Sequence, residues 1–172
     1  MVAQDNGLTS FLSSIHDELP LDELSAYADL QRVHDVWCEL TEKKGRLPAQ
    51  LDPTTVPVAL LPYMMVLEVE EGCLRVRLAG TRVCEEHGGE MRGRTTDDFF
   101  KPEDGKKVLE AGLRVAETGT PSLARKSYIA INGRRWSYVR MILPLSSDGV
   151  KRDRLFKLLD PATLEMTYQA EA

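Results

Sequence analysis

The sequence predicts an α+β fold: one antiparallel sheet of five strands with helices packed on it. Three observations predict it. Residues 134–143 read as a long strand, rich in Trp136, Tyr138, Val139, Ile142 and Leu143, types that suit a pleated, packed surface. Trp136, Tyr138 and Ile142 fall on one face, and Val139, Met141 and Leu143 on the other. Both faces are therefore apolar, and the strand belongs in the middle of a sheet covered on both sides. Turn signals bracket it. Asn132-Gly133 precedes it as a hairpin turn, whose central residues need φ > 0, and Ser147-Asp148-Gly149 follows. An antiparallel neighbour is expected on each side, at residues 123–131 and 150–159. Finally, residues 21–44 and 102–118 carry helical periodicity and supply covers.

Along the chain, Leu8, Phe11, Leu12 and Ile15 have helical spacing, which leaves residues 8–15 as a short amphipathic helix or a frayed tail. The helix over 21–44 follows Pro20, opens on Asp22 and Glu23, and closes on Lys43, Lys44 and Gly45. Ala26, Leu30, Val33, Trp37 and Leu40 form one seam. Leu24, Tyr27 and Ala28 lie off it, as a second patch that needs residues 8–15 or a second subunit to cover it. Four prolines in residues 46–62 forbid a long helix or central strand; Asp52-Pro53 reads as a helix start. Residues 63–69 and 73–79 form a hairpin around Glu70-Glu71-Gly72, the second strand alternating Leu74, Val76 and Leu78 with Arg75 and Arg77. A short helical segment over 81–87 ends at Gly88-Gly89, and Thr95 or Thr96 caps a turn containing Phe99 and Phe100. Pro102, Glu103 and Asp104 open the helix that Gly119-Thr-Pro121 stops. The residues after 160 read as a short polar tail.

At 172 residues the chain suits one domain with a real core. No apolar run approaches the roughly 20 residues that cross a membrane, and residues 1–6 lack the pattern of a signal peptide. Three scattered cysteines, Cys38, Cys73 and Cys84, point to reduced thiols and a cytoplasmic setting. The net charge is −5, yet residues 121–172 carry 9 basic against 5 acidic side chains. These cations are sprinkled rather than clustered, which argues against nucleic-acid binding.

Local wording then brings a family into view. Trp37, Gly45-Arg-Leu-Pro48, Asp52-Pro53, Leu60-Leu-Pro62, Arg75-Val-Arg-Leu-Ala-Gly-Thr81, Gly89-Glu-Met-Arg-Gly-Arg94, Gly119-x-Pro121 and Leu143-Pro-Leu-Ser-Ser-Asp-Gly149 together resemble an alphaproteobacterial family of stand-alone PAS-domain proteins, over residues 30–158. The resemblance implies five antiparallel strands in spatial order 2-1-5-4-3. It also implies helices on one face and an N-terminal helix covering the other. The expected organisation is an N-terminal helical cap over 1–44 that serves dimerisation, a PAS core over 45–160, and a short tail over 161–172. It implies a sensory or regulatory module acting through other signalling proteins, with a pocket between the inner sheet face and residues 80–118. Ending about a dozen residues after the last strand, the chain is expected to carry no output domain.

Cys84-Glu-Glu-His87 has the spacing of two metal ligands, but a structural zinc needs four, and His34, Cys38 and Cys73 do not complete the set. The helix over 102–118 has no histidine for haem, and the Asn-Cys-Arg-Phe motif of flavin photosensors is missing. No Gly-x-Ser-x-Gly, phosphate loop or His-Glu-x-x-His occurs, and Glu85-Glu86 and Asp97-Asp98 read as solvated surface, so no enzyme is expected. Tyr128, Trp136, Tyr138 and Arg140 are the ligand-pocket candidates. Such a face suits an anionic or planar ligand. The alternative is cross-strand packing, with Arg140 paired to a carboxylate from the N-terminal helix. Leu24, Tyr27 and Ala28 are the candidates for a dimer or partner surface. The first reading is a regulator that is a homodimer, gated by a small ligand; the second is a small-molecule receptor or carrier with an obligatory core ligand.

Overall fold

The structure, a computed structural model, describes residues 11–52, 54–98, 100–130 and 133–168. Leu8, Pro53, Phe99, Ile131, Asn132 and the last residues of the tail, all invoked above, lie outside the described residues.

In chain order the elements are β1 (Phe11–Leu19), a 3₁₀ turn (Leu21–Ala26), α1 (Ala28–Lys44), a second 3₁₀ turn (Val58–Tyr63), β2 (Met64–Glu70) and β3 (Cys73–Ala79). There follow α2 (Thr81–His87), a 3₁₀ turn (Thr96–Asp98), α3 (Pro102–Thr118), β4 (Ser122–Ala130), β5 (Arg134–Leu145), β6 (Arg154–Leu159) and β7 (Glu165–Tyr168). Among the described residues the sheet is antiparallel and has seven strands, not five. Its order is β1-β4-β5-β6-β2-β3, with β7 on β5. The full order therefore differs from the expected one, but the five expected strands keep their relative places, β3-β2-β6-β5-β4.

Both extra strands escaped the sequence for one reason: they lack an apolar alternation. β1 was expected as a helix or a tail. It lies instead along β4, pairing Ser14 with Tyr128, His16 with Lys126 and Glu18 with Ala124. Ile15 points outward and is exposed, so the spacing that looked helical holds only one described core residue, Phe11. Ser14 also donates to Asp104 of α3 at 2.8 Å, which ties the strand to a helix. β7 falls in the expected tail. It pairs Trp136 with Met166 and Arg134 with Tyr168 while its own side chains are exposed.

β5 is dry on both faces, as its sequence requires. Tyr138 and Ile142 join an inner core with Phe11, Leu67, Leu74, Val83, Met91 and Leu155 beneath α2 and α3. Val139, Met141 and Leu143 join an outer core with Leu30, Val33 and Trp37 of α1. The Trp37 indole donates to the carbonyl of Pro144 at 2.9 Å, so the helix is pinned as well as packed. The helix expected over 21–44 breaks at Tyr27, which leaves helical geometry at φ −119°, ψ 87°; the first turn is 3₁₀, and Ala26 of the expected seam is exposed.

Between β5 and β6 the strand begins at Arg154, later than expected. Asp148 accepts from the amides of Val150 and Lys151, both at 2.8 Å, and Asp153 from that of Ser147 at 2.8 Å. These side-chain bonds hold a loop where a ladder was expected. The helix expected at Asp52 is a turn, with Asp52 accepting from the Thr54 amide at 2.8 Å. Two glycines are demanded by geometry. Gly133 closes the β4–β5 turn at φ 80°. A Cβ on Gly80 would stand 2.3 Å from the Pro62 carbonyl oxygen. Among the described residues, no helix is long and apolar enough to cross a membrane.

Candidate functional site

The inner face of β4, β5 and β6 is not wholly apolar. Period-two alternation puts Lys126 beside Tyr128 on β4, Tyr138 beside Arg140 on β5, and Lys157 between Leu155 and Leu159 on β6. α2 lies over them and turns Glu86 and His87 inward. All seven of these polar or aromatic groups are buried; Lys126 and Arg140 are each 1 % exposed.

β1 closes one side of this cluster. His16 Nε2 lies 2.9 Å from Glu18 Oε1 and its Nδ1 lies 3.0 Å from Lys126 Nζ. Those partners assign the proton. Nε2–H donates to the carboxylate, and Nδ1 accepts from the ammonium. Arg140 NH2 then approaches Nε2 at 3.1 Å as a second donor toward the same carboxylate, 3.6 Å from Glu18 Oε1. Arg140 NH1 donates to Ser122 Oγ at 2.8 Å, and that hydroxyl donates to Glu18 Oε2 at 3.1 Å. Glu18 thus receives His16, Arg140 and Ser122 together. The hydrogen bond from His16, with the Arg140 charge behind it, holds its carboxyl down to about 2. The same bond favours the His16 cation, but burial and the charges of Lys126 and Arg140 outweigh it, so the His16 pKa is lowered.

Deeper in, burial governs every group. It pushes Glu86 up to about 7, against the pull of Lys157, and Lys157 down to about 8. It lowers Lys126, with Lys157 and Arg140 adding repulsion, and it lowers Arg140. His87 falls to about 3 and stays neutral, edge-on to Phe11 at 5.2 Å and Phe100 at 5.9 Å. The Tyr138 hydroxyl lies between Glu86 and Tyr128, and burial raises both phenols.

Of the pocket candidates, the structure brings Tyr128, Tyr138 and Arg140 together. Trp136 is buried too, but at the end of β5 where β7 pairs. Arg140 does meet a carboxylate, Glu18, from a strand rather than from the N-terminal helix. Of the surface candidates, Leu24 is 3 % exposed and packs in the outer core with Leu30 and Trp37, which corrects its assignment to a surface. Tyr27 is half-buried, its hydroxyl 3.4 Å from Arg125, and Ala28 is exposed. Glu85 is exposed and pairs with Arg82 at 2.7 Å, whereas its neighbour Glu86 is buried, against the expectation of solvated surface. Among the described residues, no three His, Cys, Asp or Glu side chains converge as metal ligands.

Sequence reasoning missed Lys126, Glu86, Lys157, His16 and Glu18. Lys126 and Lys157 had a signal: each sits at an inward position of a strand whose neighbours at ±2 are apolar or aromatic. Glu86 and Glu18 had none, since their burial depends on which way α2 turns and on a strand that the pattern does not announce.

Comparison with known proteins settles the family. The PAS domain family matches residues 26–160, and the chain belongs to it. Such domains are sensory and signalling modules. No curated protein and no solved structure matches the chain. The match begins after β1, so the strand that supplies His16 and Glu18 lies outside the matched residues.

Proposed function

We propose that this chain is a non-enzymatic, single-domain PAS regulator, of the alphaproteobacterial stand-alone kind, that works in cytoplasmic signal transduction by contacting other proteins as a homodimer. The observation that carries this is β5. One strand holds Tyr138 and Arg140 of the polar cluster on its inner face and Val139, Met141 and Leu143 against α1 on its outer face. A change of charge or occupancy inside shifts a strand whose other side seats the docking helix. Along α1 an open groove of about 490 Å³, lined by Ser25, Ala28, Gln31, Arg32, Asp35 and Glu39 among others, offers a partner surface that includes Ala28.

Native mass spectrometry of the full-length protein tests this reading. A dimer is expected, and Ala28→Glu, a substitution at an exposed position, is expected to reduce it to a monomer. An unchanged oligomeric mass in that variant overturns the dimer assignment.

A second reading has its own support. Glu86 Oε1 is buried without a hydrogen-bond partner among the described residues, as it would be in a receptor or carrier whose core ligand is obligatory. Mass retained above that of the chain after purification would favour it.

A further inference from the structure

Lys126 is the buried charge that the inner cluster leaves over. Arg140 faces Glu18 at 3.6 Å. Lys157 and Glu86 act on each other's charge across the core. Lys126 has no carboxylate within 4.0 Å among the described residues. Among the described residues its Nζ meets only the neutral Nδ1 of His16 at 3.0 Å and the face of Tyr128, 5.3 Å from the ring centroid. An ammonium carries three donors, and His16 takes one of them. Two other buried groups on the same face are short of partners among the described residues: Glu86 Oε1 makes no hydrogen bond, and the Tyr128 hydroxyl has only the Tyr138 phenol beside it. Folded proteins rarely leave such atoms unmatched, and here they come together: Lys126 and Tyr128 are neighbours on one face of β4, and Glu86 acts on both from α2.

The geometry points to a binding site here for a small monoanion bearing a carboxylate, its oxygens accepting from Lys126 Nζ and the Tyr128 hydroxyl. This rests on the reading of the chain as a ligand-gated PAS module, and it names the class of ligand. A carboxylate offers two oxygens to two donors on one strand face. Glu86, pushed up to about 7 by burial, carries its proton in a large share of molecules near neutral pH and donates it to the ligand instead of repelling it. A cleft of about 140 Å³ between β1 and α3 is lined by His16, Glu18, Lys107, Glu110, Ala111 and Arg114; of these, His16 is in contact with Lys126.

The test is thermal unfolding of the full-length chain titrated with acetate at constant ionic strength, with acetamide as the uncharged isostere. Acetate is expected to raise Tm saturably, by roughly 5–10 °C at a hundredfold excess over Kd, and acetamide to leave it unchanged. Lys126→Met should abolish the acetate shift and melt above the parent when acetate is absent, because the unmatched charge is gone. Tyr128→Phe should keep the fold and weaken acetate roughly tenfold, the loss of one hydrogen bond. The inference is overturned if acetate gives no saturable shift, if acetamide matches it, or if the shift survives in Lys126→Met. It is also overturned if Lys126→Met melts below the parent, which would show that Lys126 is already matched. The regulator reading fails separately, through the subunit mass of Ala28→Glu, which needs no ligand.

Discussion

Replacing Glu18 with Gln removes the one carboxylate within 4.0 Å of the Arg140 guanidinium among the described residues. Gln keeps the length of the side chain and can still accept from His16 and Ser122, so the substitution isolates charge. Removing one partner of a fully buried ion pair costs about 3–5 kcal/mol. Arg140 is 1 % exposed but Glu18 is 42 % exposed, so solvent screens part of the pair and roughly 2 kcal/mol is expected. For a chain of this length that lowers Tm by roughly 4–8 °C. The assay is thermal and urea denaturation of Glu18→Gln, Arg140→Met and the double variant. The double variant should lose clearly less than the sum of the singles, because it leaves neither charge unpaired. The pH dependence has a definite sign. The Glu18 carboxyl is depressed from 4.5 to about 2, so its contribution is complete above 4.5 and is lost as pH falls from there toward 2. Glu18→Gln should flatten that acid limb. A Glu18→Gln variant within about 0.5 kcal/mol of the parent, the ordinary range of surface substitutions, would show that the pair does not stabilise the fold, and so would strict additivity.

Three other outcomes follow from the packing. Phe11→Ala should cost about 3–5 kcal/mol, because Phe11 is fully buried against Phe100 and Tyr128 at 5.4 and 4.9 Å; an unchanged Tm would mean that β1 is not part of the folded core. Gly80→Ala should destabilise by roughly 1–3 kcal/mol, since its Cβ would meet backbone 2.3 Å away, and urea denaturation reads the loss. Trp37→Phe removes the indole bond to Pro144 and should cost about 1–3 kcal/mol; faster hydrogen exchange confined to α1 and the end of β5 would mark the loosened contact.

How legible the molecule was depended on whether a residue's role follows from its own neighbours in sequence. β5 was legible because both of its faces are apolar, and α3 because Pro102 starts it and Gly119 ends it. β1 was not, because its reason to be a strand is the open edge of β4 rather than its own pattern. The same holds for the site. Tyr128, Tyr138 and Arg140 follow from strand periodicity, and so do Lys126 and Lys157, whose neighbours at ±2 are apolar or aromatic. Glu86 does not, because in a seven-residue helix beside the exposed Glu85 only the tertiary structure decides which carboxylate is buried. Leu24 was misread for a related cause. The break at Tyr27 rotates the first turn away from an ideal helix, so a residue off the seam on paper enters the outer core.

The central claim is that the chemistry of the inner face reaches the α1 surface through β5. Hydrogen–deuterium exchange of the full-length protein, with and without acetate, tests it most directly. Binding should slow exchange in β1, β4 and α2 and change it along α1, with no change in either region for Lys126→Met. Protection that stops at the inner face, with α1 unaltered, would contradict it.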